Sequence, residues 1–220
     1  MSIAGTCGES FLAQHIAIDI GNDDGVQGFI KFAAFRDSSE PEVVFESYPM
    51  DISGGISSSD AQIHFAGGLR GEVFMVEESD SLFLLAGFSA TGEEIFRISE
   101  ERDRIPLTEE ELAEDQLSIS LVMNEEGSTL ETSREPGTDQ YRSIVEGVGA
   151  DNQGRIWVKM GDTGTPYFRV YSPEGDQPAV AIPDETISDR ADYSISPNGF
   201  MAFDSDPDDW PKLYLLGVSE

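Results

Sequence analysis

The chain has 220 residues, of which 43 are Asp or Glu and 13 are Lys or Arg, for a formal net charge of -30 at pH 7. A surface this acidic repels polynucleotides and anionic membranes, because no basic patch is present to neutralise phosphates, so nucleic-acid binding is the first class to drop. With 39% hydrophobic and 10% aromatic residues the chain is globular rather than disordered, and it is long enough to bury a real core.

Three readings of the acidity remain: a solvated surface that resists aggregation, a saline habitat, or divalent cation sites. Carboxylates scattered along loops mostly face water, so the first is preferred. Cys7 is the only cysteine, which rules out an intrachain disulfide and a cysteine-based zinc site. No run of about 18 apolar residues predicts a transmembrane helix. The start, MSIAGTCGES, lacks a basic segment and an apolar core, so no intact signal peptide is visible. Small residues ahead of Cys7 resemble the end of a bacterial lipoprotein signal, which would place the protein at the cell envelope. Thr6 fits that pattern poorly, and a disordered end over residues 1–10 is the preferred expectation, with a cytoplasmic location in that case.

Taken in order, residues 11–20 alternate apolar positions at Ile16, Ile18 and Ile20, as a half-buried strand does. The GNDDG that follows is turn chemistry. FIKFAAF and VVFESY, separated by SSEPE, complete a meander. Residues 51–60, DISGGISSSD, read as a mobile Gly- and Ser-rich connection. In GEVFMV, Val73 and Met75 alternate with Phe74 and Val76, so both faces are apolar, as in a strand sandwiched between neighbouring sheets.

The segment after Ile98 breaks the pattern. LTEEELAEDQL carries a capping box, with Thr108 as N-cap and Glu111 three residues on, so a short inserted surface helix is predicted near residues 107–117. Leu117 to Met123 reverts to strand, residues 124–140 read as a long polar loop, and Tyr141 to Ala150 is again strand. Two segments then align without a gap. Gly71 and Gly154 each stand three residues ahead of an aromatic, Phe74 or Trp157, and FSATGE and YSPEGD superpose Gly92 on Gly175. A turn glycine, an aromatic and a second turn glycine at one spacing signal a repeated four-stranded unit.

DNQGRIWV, residues 151–158, resembles the Asp-x-x-Gly-(Arg/Asn)-(Ile/Leu)-Trp-Val motif of NHL-like and other six-bladed β-propellers. YFRVYSPEG is similar to their third strand and the turn after it. FRISEERDRIPLTEEELAEDQ resembles a connector in bacterial six-bladed propeller proteins. The resemblance covers residues 65–218 and implies an all-β propeller of four-stranded antiparallel blades, about four to six, with residues 11–220 as one domain. Six blades of about 40 residues need about 240, so the resemblance implies either a smaller closed barrel or part of a larger propeller. It also implies closure by an N-terminal strand, which would pair residues 11–20 with the last strand, LYLLGV.

Candidate chemistry is sparse. His15 and His64 are far apart and each sits in a strand-like run, so structural roles are expected. Asp204, Asp206 and Asp208, with Asp209 beside them, form the densest acidic cluster and are the candidate calcium ligands, since hard cations prefer oxygen donors. The EF-hand pattern fails there, with Asp209 where Gly is required and Leu215 where Glu is required, so a solvated turn is preferred. Asn22, Asp23 and Asp24 read the same way. No Gly-x-Ser-x-Gly occurs, which removes the nucleophile elbow of serine hydrolases. Gluconolactonase-like propellers hold a central metal through Glu, Asn and Asp from different blades, and no matching set is assignable. Asp151 and Asn198 sit at turns that would face a central channel, and turn geometry alone explains those residue types. Trp157, Tyr167, Phe168 and Tyr171 are expected to pack between sheets, and Trp210, in an Asp-Pro loop, is the aromatic expected to be partly exposed as a binding residue. The sequence therefore points to a non-catalytic module recognising a protein, peptide or glycan, with no cofactor. A calcium-dependent propeller lactonase and an acidic structural surface protein stand as alternatives.

Overall fold

The computed structural model describes residues 2–7, 10–20, 26–37, 40–50, 63–77, 79–114, 117–124, 127–134, 140–163, 167–176, 178–183, 187, 191–197, 199–204 and 212–217. Among the described residues the fold is all-β, with antiparallel sheets and one short helix. The first sheet is a meander of β1 (Ser2–Cys7), β2 (Ser10–Ile20), β3 (Val26–Phe35) and β4 (Val43–Met50). The second contains β5 (Ile63–Gly67), β6 (Val73–Glu77), β7 (Leu82–Phe88) and β8 (Glu94–Glu101). After α1 (Glu109–Glu114) comes a hairpin of β9 (Leu117–Asn124) and β10 (Gly127–Arg134). The third four-stranded sheet is β11 (Val145–Ala150), β12 (Ile156–Met160), β13 (Tyr167–Tyr171) and β14 (Ala179–Ala181). The last has three strands, β15 (Asp192–Ser196), β16 (Gly199–Asp204) and β17 (Lys212–Leu216). Among the described residues no helix is long and apolar enough to cross a membrane.

The sheets follow one another face to face. The alternation in VFMV places Val73 and Met75 against Ile30, Phe32 and Phe45 of the first sheet. The intervening Phe74 and Val76 join Ile156, Val158 and Tyr171 of the third. The third sheet repeats the device: Trp157 and Phe168 point away from the second sheet and meet Phe200 and Tyr193 of the fourth in edge-to-face contacts at 5.2–5.5 Å. Burying each large apolar side chain this way contributes roughly 1.5–3 kcal/mol. The first strand of each meander is the one nearest its neighbours, with β5 touching β1 and β11, and β11 touching β15. The fourth strand lies outermost, and most of β8 and β14 is exposed.

The repeated turns are the same object built twice. The N–H of Gly154 donates to the Asp151 carbonyl at 3.0 Å and that of Gly71 to the Gly68 carbonyl at 3.4 Å, and both glycines hold positive φ, 78° and 86°. At the second turn the hydroxyl of Ser172 accepts the N–H groups of Glu174 and Asp176, as that of Ser89 accepts those of Thr91 and Glu93. These local side-chain bonds hold each turn independently of contacts between sheets.

Three expectations are corrected. Residues 2–7, read as part of a disordered end, form β1 because their backbone pairs with Ser10–Gln14 of β2. Residues 11–20, assigned by the resemblance to the last strand, pair with β3 along their length and with β1 over Phe11–Gln14, and among the described residues no pairing joins them to β17. The polar stretch 127–134 is a strand paired in register with β9. The helix spans six residues, Glu109–Glu114, inside its expected range.

The capping box forms as the spacing predicts. The Glu111 N–H donates to Thr108 Oγ1 at 3.3 Å, and the Thr108 N–H donates to Glu111 Oε2 at 2.8 Å. Arg142 reaches the same carboxylate at 2.9 Å and fastens the helix to the neck of the insertion, where Pro106 bridges Tyr141. The Arg142 guanidinium, with the Thr108 amide and hydroxyl, holds the Glu111 carboxyl down at about 2. A carboxylate depressed in the folded state stabilises it above the unfolded value, near 4.5, and that contribution disappears as pH falls toward 2. Glu111→Gln is therefore expected to be less stable than wild type by about 0.5–1 kcal/mol at pH 7 in urea titrations, with the difference shrinking steadily below pH 4.5.

Candidate functional site

A cavity of about 390 Å³ lies among β2 of the first meander, β5 of the second, β11, β12 and β13 of the third and β15 of the fourth. Its wall takes Gln14 from β2, His64 from β5, Glu146 and Gly147 from β11, Lys159 from β12, and Asp192 and Tyr193 from β15. The opening depends on the small residues of VEGVGA. A side chain added at Gly147 would meet nothing within 4 Å, so this glycine borders open space. At Gly149 the backbone of β11 lies against Ile195 of β15, and a Cβ there would stand 2.6 Å from the Ile195 carbonyl oxygen. One glycine widens the cavity and the other draws its walls together.

Lys159 organises the polar side of the wall. Its ammonium lies 2.8 Å from Glu146 Oε2 and 5.5 Å from the centre of the Tyr193 ring, so the cation is held between a carboxylate and an aromatic face. The Lys159 side chain is only 19% exposed, which weakens solvent screening of the pair. A cation, carboxylates, an amide and a tyrosine ring arranged around a concavity of this volume supply donors, acceptors and an apolar platform together.

A second cavity, about 310 Å³, lies between the β11–β12 and β15–β16 turns and is bordered by Asp151, Trp157, Ser196 and Phe200. Asp151 is not free to act there. Its Oδ1 accepts the N–H groups of Gln153 at 2.9 Å and Arg155 at 3.0 Å, and its Oδ2 accepts Arg155 Nε at 2.7 Å and Trp157 Nε1 at 2.9 Å. Burial pushes the carboxyl up, but these bonds outweigh it and leave the group below its ordinary value. The Asp, Gly, Arg and Trp of DNQGRIW are thus one turn-building unit. In the equivalent turn of the second sheet Gly68 replaces the aspartate and Glu72 Oε2 accepts the Arg70 N–H at 2.8 Å. A Cβ at Gly68 would lie 2.8 Å from that oxygen, so the carboxylate has changed position in the sequence while its place in the turn is kept.

Asp206, Asp208 and Trp210 lie outside the described residues, as do the side chain of Asp204 and the residues Asn22–Asp24 and Asn198. The backbone of Asp204 ends β16, opposite Lys212. His15 pairs with Lys31 through its backbone in β2, and its side chain is outside the described set. His64, expected to be structural, borders the central cavity. Among the described residues no three of His, Cys, Asp and Glu are grouped as a metal would require. Glu146, Lys159, Asp192 and Tyr193 are the site residues that motif reading missed. The one signal for them was the pair of glycines two apart in VEGVGA, which marks a close approach on one face of a strand.

The fold and site together define an antiparallel all-β protein of repeated meanders with a polar cavity between them. Comparison with protein families, with characterised proteins and with solved structures finds no match.

Proposed function

We propose that the chain is a β-propeller-type recognition module without catalytic function, which binds a short polar segment of a peptide or glycan in the central cavity. The observation that carries this reading is that strands from all four meanders line one concave wall. That wall holds a Lys159–Glu146 pair beside the Tyr193 ring. The face-to-face succession of sheets and the duplicated turns support the propeller architecture.

The test is a screen of peptide and glycan arrays with the intact protein, followed by titration of each hit. Trp157, which borders both cavities, supplies an intrinsic fluorescence signal. Lys159→Ala is expected to weaken a true ligand by about tenfold or more. A hit whose affinity ignores Lys159, or turnover of lactones by the purified protein in the presence of calcium, would overturn the reading.

A further inference from the structure

We infer that the second cavity, between the β11–β12 and β15–β16 turns, is a binding site for a monocarboxylate with an apolar body, separate from the central cavity. Its cation is Arg155. The Arg155 side chain is 34% exposed and borders the cavity, and two contacts hold its guanidinium in place: Nε donates to Asp151 Oδ2 at 2.7 Å, and Cζ lies 5.4 Å from the centre of the Trp157 ring. The bond to Asp151 uses the Nε–H, and a guanidinium carries four further N–H donors on its terminal nitrogens. A carboxylate accepts two such donors in parallel, which selects for its planar geometry as well as its charge.

The opposite wall supplies the apolar platform. Register aligns Ile195 with Phe200 and Phe200 with Leu216, so the three form one row across β15, β16 and β17 on a single face of the sheet. All three border the cavity and each is half-buried. The Phe200 ring is braced from the third sheet by Trp157 at 5.3 Å and Phe168 at 5.5 Å, both edge-to-face, so the platform is set in place before a guest arrives. A Cβ at Gly199, beside Phe200, would meet nothing within 4 Å, so this turn leaves the wall open. A volume of about 310 Å³ is at the small end of ligand pockets and suits one ring or branched chain with its carboxyl group.

Charge restricts the guest to one negative group. Asp151 sits at the Nε edge of the guanidinium, and its two oxygens accept four donors, so it orients Arg155 and is itself neutralised by its own turn. Among the described residues that border the cavity, Arg155 is the only cation. Within a chain of net charge -30 one cation matches one carboxylate, whereas the second charge of a phosphate monoester would face an acidic protein unpaired. A free organic acid and the C-terminal carboxylate of a peptide share this chemistry.

The experiment titrates the intact protein by calorimetry with hydrocinnamate, a free acid, and with N-acetylphenylalanine, which presents the carboxylate of a peptide C-terminus. Hydrocinnamamide and phenyl phosphate are the controls. One or both acids are expected to bind about tenfold more tightly than either control, and the tighter acid names the source. Arg155→Lys, which keeps the charge and removes the fork, is expected to weaken that acid by about tenfold. Gln153 is exposed and only its backbone N–H serves Asp151, so Gln153→Glu is expected to keep wild-type circular dichroism. Its added charge at the cavity mouth is expected to weaken the acid by about threefold. No binding of either acid, a control bound as tightly as the acids, or an affinity that neither substitution lowers would overturn the proposal. So would an affinity that falls as far with Lys159→Ala as with Arg155→Lys, since that would seat the acid in the central cavity.

Discussion

Asp151→Ala is expected to destabilise the protein by about 2–4 kcal/mol in urea denaturation, among the largest single effects available in the chain. The substitution removes an acceptor used by four donors: two backbone N–H groups, the Arg155 guanidinium and the Trp157 indole. The indole contributes because Trp157 is 2% exposed and its N–H would lose a buried charged acceptor. Asp151→Asn should fall between, since one carbonyl oxygen remains while the amide NH₂ faces a donor. The charge gives the pair a pH signature. The native carboxyl titrates below its ordinary value of 3.8, so the advantage of wild type over Asp151→Asn is full near neutrality and declines as acid protonates the group. The measurement is paired urea titrations at pH 7 and below pH 3.8. Equal stability of wild type and Asp151→Ala would mean that the turn does not depend on its carboxylate.

Gly149→Ala is expected to cost about 2–3 kcal/mol, and Gly147→Ala, on the same strand, less than about 1 kcal/mol. The contrast has a geometric origin. A methyl at 149 meets the Ile195 side chain and stands 2.6 Å from its carbonyl oxygen, below the 3.0 Å that real Cβ atoms observe, and a backbone atom cannot rotate out of the way. A methyl at 147 meets nothing within 4 Å. Thermal unfolding of the two variants side by side reads the difference directly. Gly147→Ala is also expected to reduce ligand binding, because it projects into the space that the ligand would fill. Loss of stability in the first variant and of affinity in the second would separate wall from cavity.

Local chemistry was legible in the sequence and distant juxtaposition was not. Turn glycines at 71, 92, 154 and 175 announced themselves because positive φ excludes most other residues, and all four adopt it. The capping box at Thr108 and Glu111 was legible for the same reason: both partners lie within one helical turn. Residues 127–134, GSTLETSR, read as a loop because a strand without a continuous apolar face carries no period-two signal, and its pairing with β9 settles its form. SIAGTC at the N-terminus hides its strand in small residues. Trp157 and Phe168 were correctly expected between sheets, since aromatic residues in a two-faced apolar strand have nowhere else to go. No motif marks Lys159, Glu146 or Asp192, and only packing of separate sheets makes them neighbours.

The claim on which the rest depends is that successive meanders meet around the cavity, with β11 against β15. The direct measurement is the nuclear Overhauser effect between the α protons of Gly149 and the side chain of Ile195 in the unsubstituted protein, since the two residues are in direct contact. The structure predicts a strong cross-peak between them. Its absence from an assigned spectrum would contradict it.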